Sequence, residues 1–583
     1  MNRKRAGILC LLVLCLGGQA APWPQAAEVR SLEDLDKAIA QARERIKADP
    51  NDASGHALLG RWLRMTGLFP EAERELRQAL SLEPANLSAL TGLVRLYRIE
   101  HRFGEEQALL TKALSLAPKD PEVGILVAES KLIRMDFDAA AAGFQAIVDL
   151  DPRSAPGWCG LAEAAYWQNR LDEAERLIAK CLAVDTRYGR AFLLLSLIHR
   201  IRQENDAWKA AGRRAVEVWP LDDEARANLS NILMRGEKKL EEGYEQAKIA
   251  LSLNPLCFSA HNYIGNGWTP KTYGPDKTEG LSEAGLKVKS LLDAGSAALI
   301  GRRLDEADRA FDEALRLAPD TIRALIGKGT AEYHRRRFGP ALGWFLRALG
   351  VNPDYGLAHY GIAQSLLRLR DEVNIRLAGM PPAPAAEGEP ELPGLRDVFT
   401  NYGELEPGLQ KIIRSSVKPL RSFLAAAKDK KATFFITPFH LLQSETPGMA
   451  GLRDKRTFDG RLWDDVKGLG GIHALSGEDW QSDVRNLRFN VVSHEFAHQV
   501  HGLVPADLRD EIKRLFLKAK DQRLTLDFYA DFNEFEYFAT GVEAYVSEEK
   551  LADQKITYGH TRRELLDKDP DLYRLIERLD GLD

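Results

Sequence analysis

The sequence predicts a mainly α protein in which a superhelical solenoid of repeated helix pairs is followed by a smaller α+β domain. Three observations predict it. Prolines recur at a 34-residue interval over the first two-thirds of the chain, small residues stand at fixed distances before them, and a proline-rich stretch at 381–393 separates this region from one with strand-like runs. A fixed period of this length marks stacked supersecondary units. The 583 residues are 45% hydrophobic and 28% charged, as in ordinary globular chains. Abundant Ala, Leu, Arg and Glu favour helix. A net charge of -5 argues against the basic footprint of a nucleic-acid binder. Five cysteines, two of them Cys10 and Cys15, exclude a disulfide framework.

At the start of the chain, Arg3, Lys4 and Arg5 precede an apolar run over 6–16 and then small residues. This is the pattern of a secretory signal peptide cleaved near Ala20 or Ala21. The run is short for a spanning helix, and no later segment is apolar enough to span. The expectation is an exported protein, periplasmic or secreted, that is not integral to a membrane once residues 1–21 are removed.

Pro50, Pro84, Pro118 and Pro152 stand 34 apart, Pro220 follows at twice that interval, and Pro319 and Pro353 resume it. Pro255 belongs to the series, and Thr186 sits where a proline is missing; five residues before these marks stand Ala79, Ala113, Cys181, Ala215, Ala250, Ala314 and Ala348, and twelve before stand Ala72, Ala140, Ala174, Ala307 and Ala341. Small residues let two helices cross closely, and proline stops the second of each pair. With Leu59-Gly60, Trp158 and Leu161, Phe144, Phe311 and Phe345 at matching places, residues 33–375 resemble the tetratricopeptide repeat. That resemblance implies one continuous superhelix whose groove holds a protein partner. A scaffold that only carries the next domain is the alternative. Between Pro255 and Pro319 the interval is 64, and 261–280 reads as an irregular insertion, a surface excursion in preference to a loop lining a neighbouring site. Cys159 and Cys181 read as packing residues of one repeat. A proline-rich linker at 376–394 then leads to a second domain at 395–583.

The chemistry concentrates in RFNVVSHEFAHQVHG (488–502). His494 and His498 are four apart, so on a helix both imidazoles can share one zinc ion, and Glu495 is placed as base for a zinc-activated water. Zinc needs a third protein ligand. His501 lies about 10 Å along the axis from His494, too far to share the ion, and reads as a supporting or surface residue. Downstream, LDFYADFNEFEYFATGVEAYV (526–546) reads as a helix from about Asn533, with Glu534, Glu536 and Glu543 as candidate ligands. Glu534 and Glu536 cannot face one ion together. Glu536 and Glu543 share a face, so one can ligate while the other orients a histidine.

These residues resemble the zinc-peptidase domain of anthrax lethal factor and its relatives, a gluzincin group with a zincin-like α+β fold. His494-Glu495-Phe496-Ala497-His498 is followed by Tyr529, Asn533, Glu534, Glu536, Tyr537, Phe538 and Ala539 at that group's spacing. The resemblance covers about 430–550. It implies Glu536 as third zinc ligand and Tyr529 as the phenol that stabilises an oxyanion or protonates the leaving amine. Asn533 and Glu543 would stand behind the ligands, Glu543 supplying the charge that Thr540 lacks where the toxin has a carboxylate. In zincin-like folds an edge strand binds extended peptide through its backbone. Ile472, His473, Ala474 and Leu475, in a glycine-rich strand read over 468–476, are expected in that role. The expected function is an exported zinc metallopeptidase acting on a peptide or protein substrate. The rival is a non-catalytic, repeat-based interaction or assembly factor whose zinc domain is structural or inactive.

Overall fold

The computed structural model describes residues 29, 31–274, 281–378, 391–457, 459–478, 490–527, 529–548 and 560–582. The segment 1–21 read as a signal peptide, residues 379–390 of the stretch read as a linker and residues 275–280 of the insertion lie outside the described residues. The chain divides into two compact units, Met1–Pro118 and Lys119–Asp583.

In the first unit, helices Leu32–Ala48, Ala53–Met65, Phe69–Leu82, Leu87–Ile99 and Phe103–Leu116 pack on one another in chain order. Ser31, Asp52 and Asn86 cap three of them by accepting the backbone amide three residues on. A Cβ on Gly60 would lie 2.6 Å from Leu76 Cγ and 2.9 Å from the Ala72 carbonyl, so two helices cross at this glycine.

The second unit continues the pattern with Pro121–Ile133 and Phe137–Leu150, Ala155–Trp167 and Leu171–Val184, Gly189–Ile201 and Asn205–Val218, then Asp223–Asn231 and Leu240–Leu253. The period is also written in the backbone. Positive φ occurs at Gly67 and His101 in the first unit and at Met135, Asn169, Gln203, Arg302 and Arg336 in the second, each just past the first helix of a pair. Every small residue of the ruler is 0% exposed. The side chain six residues after a repeat proline donates to that proline's carbonyl at His56–Pro50, Trp158–Pro152, Arg226–Pro220, His261–Pro255 and His359–Pro353.

Stacking departs from chain order after helix Phe258–Gly265. Its main partner is not the next helix, Glu283–Ile300, but the distant Gly356–Ala378. A Cβ on Gly265 would lie 2.4 Å from Tyr360 N, so the two backbones touch there. Helices Glu283–Ile300, Leu304–Leu317, Ile322–His334 and Phe338–Val351 stack in sequence onto Gly356–Ala378, so this block is docked by its last helix. The described part of the insertion is no free surface excursion. Gly267 O accepts from Leu462 N at 3.0 Å, Thr269 O from Arg456 at 2.8 Å and Gly274 O from Arg453 at 3.1 Å, while Tyr273 N donates to Asp454 at 2.8 Å. These unmet backbone groups of a non-helical segment find partners in the loop 453–465.

Helix Gly356–Ala378 runs into the segment read as linker. Beyond it, β1 (Thr433–Thr437), β2 (Gly468–Leu469) and β3 (His473–Gly477) form one sheet in the order β1-β3-β2. β1 is parallel and β2 antiparallel to β3. The motif helix Val491–His501 lies on this sheet and against the acidic helix Glu534–Tyr545, which Ala506–Asp521 and Pro570–Asp580 cover. Phe399, Phe434, Phe496, Phe516, Tyr537 and Ile576 belong to the core they share. Among the described residues no helix is long and apolar enough to cross a membrane.

Candidate metal centre

Asn490 starts the motif helix by accepting from Ser493 N, and Val491, Val492, Phe496 and Val500 bury its inner side. Gln499 pins it to the sheet, its Nε2 donating to Thr433 O and Ile472 O at 3.0 Å each. The acidic helix begins at Glu534. Asn533 accepts from Phe535 N and Glu536 N at 2.9 Å each, so its contacts are those of a helix cap and reach the ligand set through the Glu536 backbone.

Where the two helices meet, three lone-pair atoms converge. His494 Nε2 lies 3.2 Å from His498 Nε2 and 3.1 Å from Glu536 Oε2, and His498 Nε2 lies 3.3 Å from Glu536 Oε2. Ligand atoms bound tetrahedrally to zinc at about 2.0–2.1 Å stand roughly 3.3 Å from one another. The triangle therefore fits zinc. Glu543 takes the other side of His494, its Oε2 3.2 Å from Nδ1, which leaves Nε2 as the nitrogen that could ligate an ion. Spacing alone left Glu536 and Glu543 as equals; the fold sends them to opposite nitrogens of one imidazole. Glu534, at the first helical position, is not in the cluster.

Burial raises the Glu536 carboxyl, but hydrogen bonds from His494 and His498 bring it down to about 2. Burial would lower the His494 imidazole, and Glu536 and Glu543 reverse this and hold it well above its ordinary range. Glu495 is buried beside β2 and its carboxyl is raised, chiefly by burial. The Tyr529 ring lies 5.9 Å from the His494 ring, and burial raises its phenol.

The strand residues are placed differently. β3 is the central strand, paired with β1 along its length and with β2 at Leu475 and Ser476, so it is not the outer strand expected of His473, Ala474 and Leu475, and Ile472 lies just before it. Ala474 and Leu475 are buried, the Ile472 carbonyl is taken by Thr433 N and Gln499, and His473 Nδ1 bonds Thr433 Oγ1 at 2.8 Å. The run read as one strand is a hairpin, because Gly470 and Gly471 turn the chain between β2 and β3. The strand beside the cluster is β2. A Cβ on Gly468 would lie 2.2 Å from Glu495 Oε1, and one on Gly470 2.5 Å from His498 Cβ. Sequence reasoning missed these close approaches, although glycine at two alternate positions was their signal. His501 is buried, 4.5 Å from the Phe535 ring, and is not a surface residue.

The repeats also reach this region. Arg302 donates to Glu478 Oε2 at 2.7 Å, and His334 lies 3.2 Å from Oε1, one residue past the end of β3.

Two stretches, 134–184 and 292–354, match the tetratricopeptide-repeat family. The chain contains these repeats. Similar solved structures include the Cut9–Hcn1 hetero-tetramer of APC/C, at 14% identity and a TM-score of 0.32 over 58% of this chain and 60% of that one. Others are a thermophilic TPR protein of Thermus thermophilus, at 21% identity and a TM-score of 0.27 over 30% and 95%, and pilF of Pseudomonas aeruginosa, at 18% and 0.26 over 33% and 88%. No curated protein matches the chain.

Proposed function

We propose that this protein is an exported zinc metallopeptidase of the zincin-like, lethal-factor-related type, whose repeats bind substrate or partner proteins. The observation that carries the reading is the triangle of His494, His498 and Glu536 with a buried carboxylate, Glu495, beside it. A zinc ion held by these three would supply Lewis acidity toward a peptide carbonyl and a water. Glu495, its carboxyl raised by burial, takes a proton from the water and returns it to the departing amine. Tyr529 keeps its proton because burial raises the phenol, and so donates to the oxyanion. Glu543 holds His494 in its ligating orientation. An extended substrate would pair with the open side of β2, the outer strand of the sheet, whose Gly468 packs against Glu495. A structural zinc site needs no general base and closes its fourth position with protein, which favours catalysis over the scaffold reading.

The test is zinc analysis together with digestion of an unbiased peptide mixture by the wild type and Glu495→Gln. Cleavage by the wild type and its loss in the variant, at equal zinc, supports the reading. Equal cleavage by both sinks it, and zinc without cleavage in either returns the protein to the interaction class.

A further inference from the structure

Tyr529 stands on an irregular turn between two helices, Ala506–Asp521 and Glu534–Tyr545, and so gets no alignment from a regular backbone ladder. One side chain organises that turn. Asp527 Oδ1 accepts from both Tyr529 N and Ala530 N, at 2.8 Å each, while the Asp527 carbonyl accepts from Asp531 N at 3.1 Å. The other carboxylate oxygen lies 3.2 Å from His560 Nε2. The ends of the turn are held from outside, Lys568 Nζ donating to Leu526 O at 3.1 Å and Lys520 Nζ to Asp531 O at 2.8 Å.

We propose that Asp527 is the positioning residue for Tyr529, its carboxylate fixing the turn that presents the phenol beside the His494 ring, with His560 holding the carboxylate. Amide bonds to a carboxylate are short and strong, and here a single oxygen orders two consecutive amides, including that of Tyr529 itself. A phenol that meets an oxyanion must be held within about half an ångström, which a loop does not supply unaided. The consequence for catalysis rests on the peptidase reading; the positioning does not.

The experiment uses the full-length, zinc-loaded chain with 3-fluorotyrosine at 529, in wild type, Asp527→Ala and Asp527→Asn. Asparagine keeps the Oδ1 acceptor for the two amides and loses the charge and the acceptor that face His560. The expected result is a shifted, broadened fluorine resonance in Asp527→Ala and a near-native one in Asp527→Asn. In peptide digestion without the label, Asp527→Ala should lower kcat about 10- to 100-fold with little change in KM. Asp527→Asn should recover most of that loss, and Asp527→Ala should cost nothing further in a Tyr529→Phe background. An unmoved resonance in Asp527→Ala, equal losses in both variants, or full additivity with Tyr529→Phe overturns the proposal. If Asp527→Ala does not fold, His560→Ala decides, a smaller shift in the same direction supporting the proposal and no shift overturning it. If the wild type cleaves nothing, or Tyr529→Phe keeps full kcat, the catalytic reading of Tyr529 falls, and the fluorine comparison still judges Asp527.

Discussion

At the candidate metal site, His494 Nε2 and His498 Nε2 lie 3.2 Å apart; at the joint between helices Phe258–Gly265 and Gly356–Ala378, His261 Nδ1 and His359 Nδ1 lie 2.8 Å apart. Both pairs are held by helices, which bury His494, His261 and His359 and leave His498 partly exposed. Around the first, Glu536 faces both imidazoles and Glu543 the far nitrogen of His494. Around the second, the far nitrogens donate to the Pro255 and Pro353 carbonyls, which leaves two Nδ1 lone pairs facing each other. The carboxylate acting on that pair is Asp354, near His359, and it also accepts from the Tyr244 hydroxyl. Burial pushes His261 down to about 3 and His359 to about 4. Close histidines do not make a cation site by themselves. Carboxylates facing the rings do, and without them burial keeps the rings neutral.

The comparison is most exposed at Glu495. Glu495→Gln should reduce peptide hydrolysis by about 10²- to 10⁴-fold while zinc stays bound, read by turnover and metal analysis on the same samples. Metal binding separates the two pairs next. Zinc in hundredfold excess over its Kd should stabilise the wild type against unfolding by about 2.7 kcal/mol. His359→Ala should keep that zinc-dependent gain and Glu536→Ala should lose it; the reverse pattern would erase the distinction.

The joint has its own signature. A histidine that titrates near 6.5 unfolded and near 3 or 4 folded binds fewer protons in the native state. Its contribution is therefore present above pH 6.5 and is lost as pH falls toward 4. A His261→Gln, His359→Gln double variant should flatten the stability curve over that window by several kcal/mol. Parallel curves would show that the pair does not titrate as described. Asp465 runs the other way. Burial raises its carboxyl to about 7, so stability on its account is full at acid pH and falls as pH rises through neutrality. Asp465→Asn, which can still accept from the Tyr273 hydroxyl, should remove about 1 kcal/mol of that fall, read by denaturation at pH 6 and pH 8.

Much of this was legible because it is local. The small residues of the ruler mark helix crossings, and each is fully buried. His494 and His498 share a face by the helical period alone. What escaped was set by distant pairing. Nothing near Gly265 says that its partner is Tyr360, and nothing in 468–476 says that β3 will be flanked on both sides. Asn533 illustrates the same limit on a smaller scale. Its place in the motif suggested a role behind the ligands, whereas its contacts are those of any helix cap.

The contact between His261 and His359 spans 98 residues of chain. Most helices of the repeats pack on neighbours made moments before, so they can consolidate as synthesis proceeds. Helix Phe258–Gly265 can do so only in part: it meets Asp223–Asn231 and Leu240–Leu253, but its main partner has yet to be translated. Contacts of such separation pay their loop-closure entropy late and slow the final approach to the native state. During synthesis the face around Gly265 is thus left waiting, the stretch of the repeats most in need of protection until Tyr360 arrives.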